Sequence, residues 1–189
     1  MVTAIAVMMD VVLLLAAIIV VSYIAMIYNS LVRLKNNIEL AWANIDVLLK
    51  QRFDELPNVI ATVKGYAKYE KDTLKEITRL RTSFASANSI ADKAGASRDI
   101  SKLFASVFAV AEGYPKLRAS ENFLSLQKRI SGLEDAIADR REFYNDSVNT
   151  YNIRIEQFPY NIFARLFKYT AKELFVAKDE ERQPFKASV

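Results

Sequence analysis

The sequence predicts an all-α protein, in which an N-terminal transmembrane helix continues into an elongated antiparallel helical bundle or coiled-coil hairpin. Three observations predict it. Residues 11–27 read VVLLLAAIIVVSYIAMI, a run without a single charge. From residue 28 onward apolar residues recur in steps of three and four, the period of helices packed lengthwise. No stretch alternates with the period of two that a half-buried strand needs, and the 189 residues hold only four Gly and four Pro. The chain therefore divides into an anchor (1–27), a bundle (28–169) and a charged C-terminal tail (170–189).

The apolar run covers about 25 Å at helical rise, slightly short of a hydrocarbon core of roughly 30 Å. Thr3–Met9 (TAIAVMM) is also apolar, so residues 1–27 suffice, with Asp10 near the outer boundary and Tyr23 and Tyr28 at the far interface. Asp10 reads as a carboxylate at headgroup level; its functional counterpart is a polar contact between neighbouring spans in an oligomer. A cleaved signal peptide is disfavoured, because no Lys or Arg precedes the run and no A-x-A site follows it. A lipoprotein anchor needs a cysteine that the sequence lacks. Arg33, Lys35, Lys50 and Arg52 all follow the span. The positive-inside rule then predicts a cytoplasmic bundle and an outside N-terminus, in a bacterial inner membrane or an organelle membrane.

Ile38, Ala41, Ile45, Leu48 and Arg52 continue the helical rhythm, and residues 28–55 contain neither Gly nor Pro, so the membrane helix can extend unbroken. Pro57 kinks that rod or starts the next helix. The rhythm resumes through Val59, Val63, Tyr66, Glu70, Leu74, Ile77, Arg81 and Phe84. Ala85–Arg98 (ASANSIADKAGASR) is small and polar and is expected to be a loop, followed by a short apolar helix over Ser101–Glu112. Gly113-Tyr114-Pro115 should end that helix, with Gly113 free to take positive φ. Residues 120–158 form one predicted helix of about 58 Å, along Phe123, Leu126, Ile130, Leu133, Ile137, Arg140 and Tyr144. A four-residue step to Val148 shifts the phase like a coiled-coil stutter before Tyr151, Ile155 and Phe158. Phe158-Pro159 stops it, a short aromatic helix spans Tyr160–Tyr169, and Phe175 and Phe185 stand as isolated docking residues in the tail.

Composition excludes many chemistries. The absence of Cys removes disulfides and thiol nucleophiles, and the absence of His removes the commonest general base and metal ligand. Neither a G-x-G-x-x-G nor a Walker A pattern is present. No catalytic residue, cofactor or metal site is expected. The net charge of +4 comes from scattered Lys and Arg, without the basic run of a nucleic-acid binder.

The motifs resemble the LemA family. The matching stretches begin with Tyr28-Asn29-x-Leu31-Val32 and Ala41-Trp42-Ala43-Asn44-Ile45-Asp46, followed by Arg52-Phe53-Asp54-Glu55-Leu56-Pro57-Asn58 and Val63-Lys64-Gly65-Tyr66-Ala67. They continue with Ala111-Glu112-Gly113-Tyr114-Pro115-x-Leu117 and Asn122-Phe123-Leu124-x-Leu126-Gln127. Arg140-Arg141-x-Phe143-Tyr144-Asn145-Asp146, Tyr151-Asn152 and Phe158-Pro159 complete the set, which covers roughly residues 22–175. Two departures, Asp-Glu-Leu-Pro before and at residue 57 and Gly at 113, mark a subgroup. The resemblance implies a single-pass membrane protein with an extended helical bundle and no settled activity.

Asp46, Lys50 and Asp54 lie at i, i+4 and i+8 on one helical face, with Arg52 and Glu55 beside them. Arg140 and Arg141 interrupt the seam of the long helix, followed by Glu142 and Asp146. Antiparallel packing would set the carboxylates near Pro57 opposite those arginines. Such a cluster is either a set of ion pairs that fixes register or an anion-binding or acid–base site. Trp42 reads as core with Ile38 and Ile45. Tyr144-Asn145 and Tyr151-Asn152 recur seven residues apart on one stripe. They are either packed tyrosines with asparagines on nearby helix ends or a subunit contact. Phe163, Arg165, Leu166, Phe167, Lys168 and Tyr169 form a basic aromatic helix, docked on the bundle or lying on a membrane surface. The candidate interface is thus Trp42, Tyr144, Asn145, Tyr151, Asn152, Arg165 and Phe167, and the expected partners are the lipid bilayer and further copies of the chain. The function expected is a membrane-anchored, non-enzymatic scaffold that self-associates and organises or shapes the membrane. The alternative is a membrane-tethered adaptor presenting a helical surface to a cytoplasmic protein; a carboxylate-dependent hydrolase is a distant third.

Overall fold

The structure is a computed structural model that describes residues 2–64 and 71–176. The Gly65-Tyr66-Ala67 stretch, the Glu70 step and the tail from residue 177 with Phe185 lie outside the described residues, as do the side chains of Leu74 and Ile77. Every regular element among the described residues is a helix: α1 (Val2–Asp54), α2 (Leu56–Lys64), α3 (Lys71–Ser86), α4 (Ile90–Glu112), α5 (Pro115–Arg118), α6 (Glu121–Glu156) and α7 (Tyr160–Leu166).

The breaks follow local chemistry. Helix α1 runs unbroken through 53 residues because nothing in it removes a backbone donor or frees the backbone. Pro57 falls in the first turn of α2, where its missing N–H has no helical partner to lose. The expected loop over 85–98 is not one. Helix α3 reaches Ser86, and α4 starts at Ile90 behind a capping box, in which Asp92 N–H donates to Ser89 Oγ at 3.0 Å and Ser89 N–H to Asp92 Oδ2 at 3.4 Å. A short, polar, alanine-rich stretch mimics a loop in composition, yet its alanines favour helix and its serine supplies the start. The apolar helix expected from Ser101 is the second half of α4. Gly113 closes it with φ −76°, in right-handed geometry, so no left-handed cap is used. Pro115 sets the boundary instead, holding Tyr114 outside the helical region at φ −122° and ψ 87°.

The chain divides into two compact units, one of Met1–Glu39 with Ser147–Lys172 and one of Leu40–Asp146 with Glu173–Val189. In the second unit the ring of Trp42 lies 5.8 Å from that of Tyr144, Arg52 pairs with Glu134, and Glu55 with Arg129. Advancing on α1 thus means retreating on α6, so these parts are antiparallel. Helix α4 runs parallel to α1, since Asp46 meets Lys93 and Arg52 meets Ser97 and Ser101. The core gathers Phe53, Leu56, Val59, Ile100, Phe104, Leu117, Leu126 and Ile130, with Phe53 stacked on Phe84 at 3.8 Å. Each such fully buried side chain contributes about 1.5–3 kcal/mol of transfer free energy. Within the 38–52 stripe the buried leucine is Leu49, and Leu48 is only half-buried.

In the first unit Ile27 and Leu31 are buried, whereas the residues of 4–26 are exposed throughout. One helix among the described residues is long and apolar enough to cross a membrane, and none of its most apolar window is covered by protein.

Candidate functional site

Arg52 is the one charged side chain buried in the second unit's core among the described residues, at 3% exposure. The sequence places it there because it occupies a seam position of α1 one turn after Leu49. Its guanidinium donates to Ser101 Oγ at 2.6 Å, to Ser97 Oγ at 3.3 Å and to the Ser97 carbonyl at 3.4 Å, and forms an ion pair with Glu134. The Phe104 ring lies 5.5 Å beneath its central carbon. Its Nε is buried without an acceptor. Burial pulls the Arg52 pKa below its usual value, against the opposing pull of Glu134. Even lowered, a guanidinium stays charged at neutral pH, so the centre is a fixed cation. It lines a cavity of about 490 Å³ that Arg98, Arg141, Glu134 and Phe175 also border.

The other members of the expected charge cluster separate. Asp46 pairs with Lys93 of α4, whose ammonium also sits 5.5 Å from the Trp42 ring. Glu55 pairs with Arg129 at 3.1 Å and accepts from Asn58 at 2.9 Å. Asp54, Arg140 and Asp146 are exposed and form no ion pair in the described structure. The register explains this. Trp42 to Arg52 is ten residues forward on α1 and Tyr144 to Glu134 ten back on α6. Arg140 and Arg141 therefore fall level with Asp46 and Ile45, well short of the carboxylates near Pro57. The partners Lys93, Ser97 and Ser101 were hidden by reading 85–98 as a loop. The 3–4–3 spacing of Ala94, Ser97, Ser101 and Phe104 is the signal that marks that face of α4.

The two Tyr-Asn pairs hold the segment that follows α7, one pair in each unit. In the second unit the Tyr144 hydroxyl donates to the Glu173 carbonyl at 2.9 Å, and Phe175 N–H donates to Asn145 Oδ1 at 2.8 Å. In the first, the Tyr151 hydroxyl donates to the Thr170 carbonyl at 3.1 Å. Asn152 there gives its amide to the Lys172 carbonyl at 3.0 Å and receives Lys172 N–H at 2.9 Å. The asparagines thus satisfy a non-helical backbone, not helix ends as the sequence suggests. All these hydrogen bonds end on main chain, and the buried Phe175 ring, 5.9 Å from that of Trp42, adds a side-chain anchor in the second unit.

Burial raises the pKa of both tyrosines, with Glu173 adding to the effect at Tyr144 and Tyr169 at Tyr151. A phenol has an ordinary pKa near 10, and the folded state prefers it neutral. The resulting stability is complete below that value and is lost as pH rises through the raised values. A spectrophotometric phenolate titration should show two late-titrating tyrosines, and Tyr144→Phe and Tyr151→Phe should each remove one of them.

A family model for the LemA family matches residues 41–188. The chain belongs to the LemA family. The match takes in Trp42, the Arg52 centre and both clamps, so these features lie inside the LemA region. Among curated relatives, magnetosome proteins MamQ 1 and MamQ 2 of Paramagnetospirillum magneticum are each 24% identical over 188 residues, covering 84% of this chain and 69% of the relative. Protein LemA of Metamycoplasma hominis is 29% identical over 157 residues, covering 82% of this chain and 71% of that protein.

Outside residues 4–26, the exposed apolar side chains among the described residues of this LemA chain include two patches. In the second unit Leu40, Ala43 and Val47 form an exposed stripe on α1, with Leu40 64% and Val47 57% exposed. In the first unit Phe158, Ile162 and Leu166 are exposed, and the Phe167 ring meets Tyr28 edge-on at 5.3 Å. Tyr23 is exposed on the apolar part of α1, as is Asp10; Arg165 is exposed on α7. Among the described residues no group of three or more Asp, Glu, His or Cys is placed to hold a metal.

Proposed function

We propose that the chain is a membrane-anchored helical scaffold that associates with further copies of itself through α1. The observation that carries this reading is the stripe Leu40, Ala43 and Val47. Its steps of three and four place uncharged side chains on the side of α1 away from the buried Ala41, Ile45 and Leu49. Large apolar side chains repeated along one line of a helix gain by burial against an equivalent line. The same helix carries the uncharged run of residues 11–27, so copies held in one bilayer meet at high local concentration. The likeness to Protein LemA and to the MamQ proteins supports a membrane-associated helical protein. Among the described residues the buried charge is an arginine already engaged by Glu134 and two serines.

The absence of native cysteine makes the contact directly testable. Val47→Cys in membranes should form a disulfide dimer on mild oxidation, whereas Asp135→Cys, exposed on α6, should stay monomeric. Disulfide formation needs Cβ atoms roughly 3.5–4.5 Å apart, so equal and low cross-linking at both sites would reject an α1 contact.

A further inference from the structure

The first unit contains a small cleft whose charged lining is entirely basic. It measures about 260 Å³ and is bordered by Lys35, Lys168 and Lys172 with the hydroxyl-bearing Tyr151, Tyr169 and Thr170. No carboxylate lines it. The nearest paired acid is Glu39, 3.7 Å from the Lys35 ammonium across an exposed i, i+4 pair, an interaction weak enough to yield to a stronger anion. Lys168 adopts φ 57°, the left-handed region, the only non-glycine among the described residues to do so. Such a residue costs energy and persists only where its surroundings hold it. The turn it makes carries the chain from α7 into the clamped segment, and thereby brings Lys168 and Lys172 to the same cleft.

The cleft also has a place relative to the apolar run. Phe167 lies at its border and packs on Tyr28, the residue directly after that run. Lys35 follows Ile27 by eight residues, about 12 Å along the helix, and helical side chains lean back toward the N-terminus. Its four-carbon stem can set the ammonium at headgroup level. In the same unit Phe158 at 80% and Leu166 at 68% exposure, with Ile162 between them in sequence, offer exposed apolar side chains, and Arg165 adds a further positive charge. Apolar side chains flanked by lysines and arginine, next to the end of a span, complement an anionic leaflet.

We infer that the Lys35–Lys168–Lys172 cleft binds the phosphate headgroup of an anionic phospholipid, while Phe158, Ile162 and Leu166 rest among the acyl chains. The inference rests on the membrane anchoring proposed above and adds a lipid class to it. The Tyr169 and Thr170 hydroxyls supply donors to phosphate oxygens, and three ammonium groups supply the charge. A zwitterionic headgroup brings a quaternary amine that the lysines repel, so the cleft distinguishes phosphatidylglycerol from phosphatidylcholine.

The full-length chain, purified in mild detergent, is titrated with phosphatidylglycerol or phosphatidylcholine and bound lipid is counted by native mass spectrometry. Retention of phosphatidylglycerol over phosphatidylcholine is expected, with affinity falling about fivefold for each lysine removed in Lys35→Gln, Lys168→Gln and Lys172→Gln. Lys50→Gln, which makes the same charge change on α1 outside the cleft, should have no effect. Circular dichroism checks that each variant keeps its helices. Equal retention of the two lipids, or equal loss in Lys50→Gln, overturns the inference. Displacement of the lipid by inorganic phosphate alone would make the site one for free phosphate and overturns it equally. Flotation of the chain with neutral vesicles tests anchoring separately: anchoring without lipid preference defeats this inference alone, and failure to float defeats the reading beneath it.

Discussion

Glu134→Ala is expected to destabilise the chain by about 2–3 kcal/mol, and Arg52→Met by about 1 kcal/mol or less. The asymmetry follows from burial. Arg52 is 3% exposed, so removing Glu134 strands a guanidinium that cannot neutralise itself at neutral pH. The glutamate side chain is 40% exposed, which reduces the loss below the 3–5 kcal/mol of a fully buried pair because water shares its solvation. Removing the arginine leaves a carboxylate that water can reach and two serines, of which Ser101 already donates to the Ser97 carbonyl at 3.4 Å. Methionine fills much of the vacated volume beside Phe104 with an apolar chain. For a chain of this length the glutamate variant should melt roughly 5–10 °C lower, as measured by circular dichroism in detergent. A larger effect for Arg52→Met would mean that the centre contributes net stability and not only register.

Phe175→Ala is expected to release the segment held by Tyr144 and Asn145. The Phe175 ring is buried, 5.9 Å from Trp42, and its N–H is bonded to Asn145. Truncating a buried phenylalanine costs about 3–5 kcal/mol, more than the roughly 1 kcal/mol each that its two neighbouring hydrogen bonds return. The segment should therefore detach while the helices persist. Trp42 is the only tryptophan of the chain, so intrinsic fluorescence reads the event directly. A red shift of its emission and faster hydrogen exchange at residue 175 are expected, with far-ultraviolet circular dichroism unchanged. Asn145→Ala should speed that exchange about fivefold to tenfold without moving the tryptophan emission, since it removes one bond and leaves the ring contact.

These two centres show what the residue pattern discloses. Arg52 stands out in sequence because it occupies a seam position, and Tyr144 and Tyr151 because they continue the long helix's stripe; all three are buried. Helix periodicity states which face is covered but not which residue of a neighbouring helix meets it. The pairing of Arg52 with Glu134 and not with Arg140's neighbourhood depends on where α1 stops and where α6 starts, set by Glu55-Leu56-Pro57 and by Ala119-Ser120. The loss of Ser97 and Ser101 from the sequence-based picture has a related cause. Small side chains are ambiguous between loop and close helix contact, and only the Ser89–Asp92 box, itself a four-residue signal, distinguishes them. For the clamps the sequence discloses the Tyr-Asn pairs and the docking Phe175, but not that the pairs hold residues 170–175, because those hydrogen bonds end on main-chain atoms that every sequence shares.

Light scattering on the full-length chain in mild detergent, across micromolar concentrations, tests the self-association claim most directly. A mass of two or more chains is expected, falling to one in Leu40→Glu/Val47→Glu while helicity is retained. A particle of one chain at every concentration, unchanged by those substitutions, would contradict it.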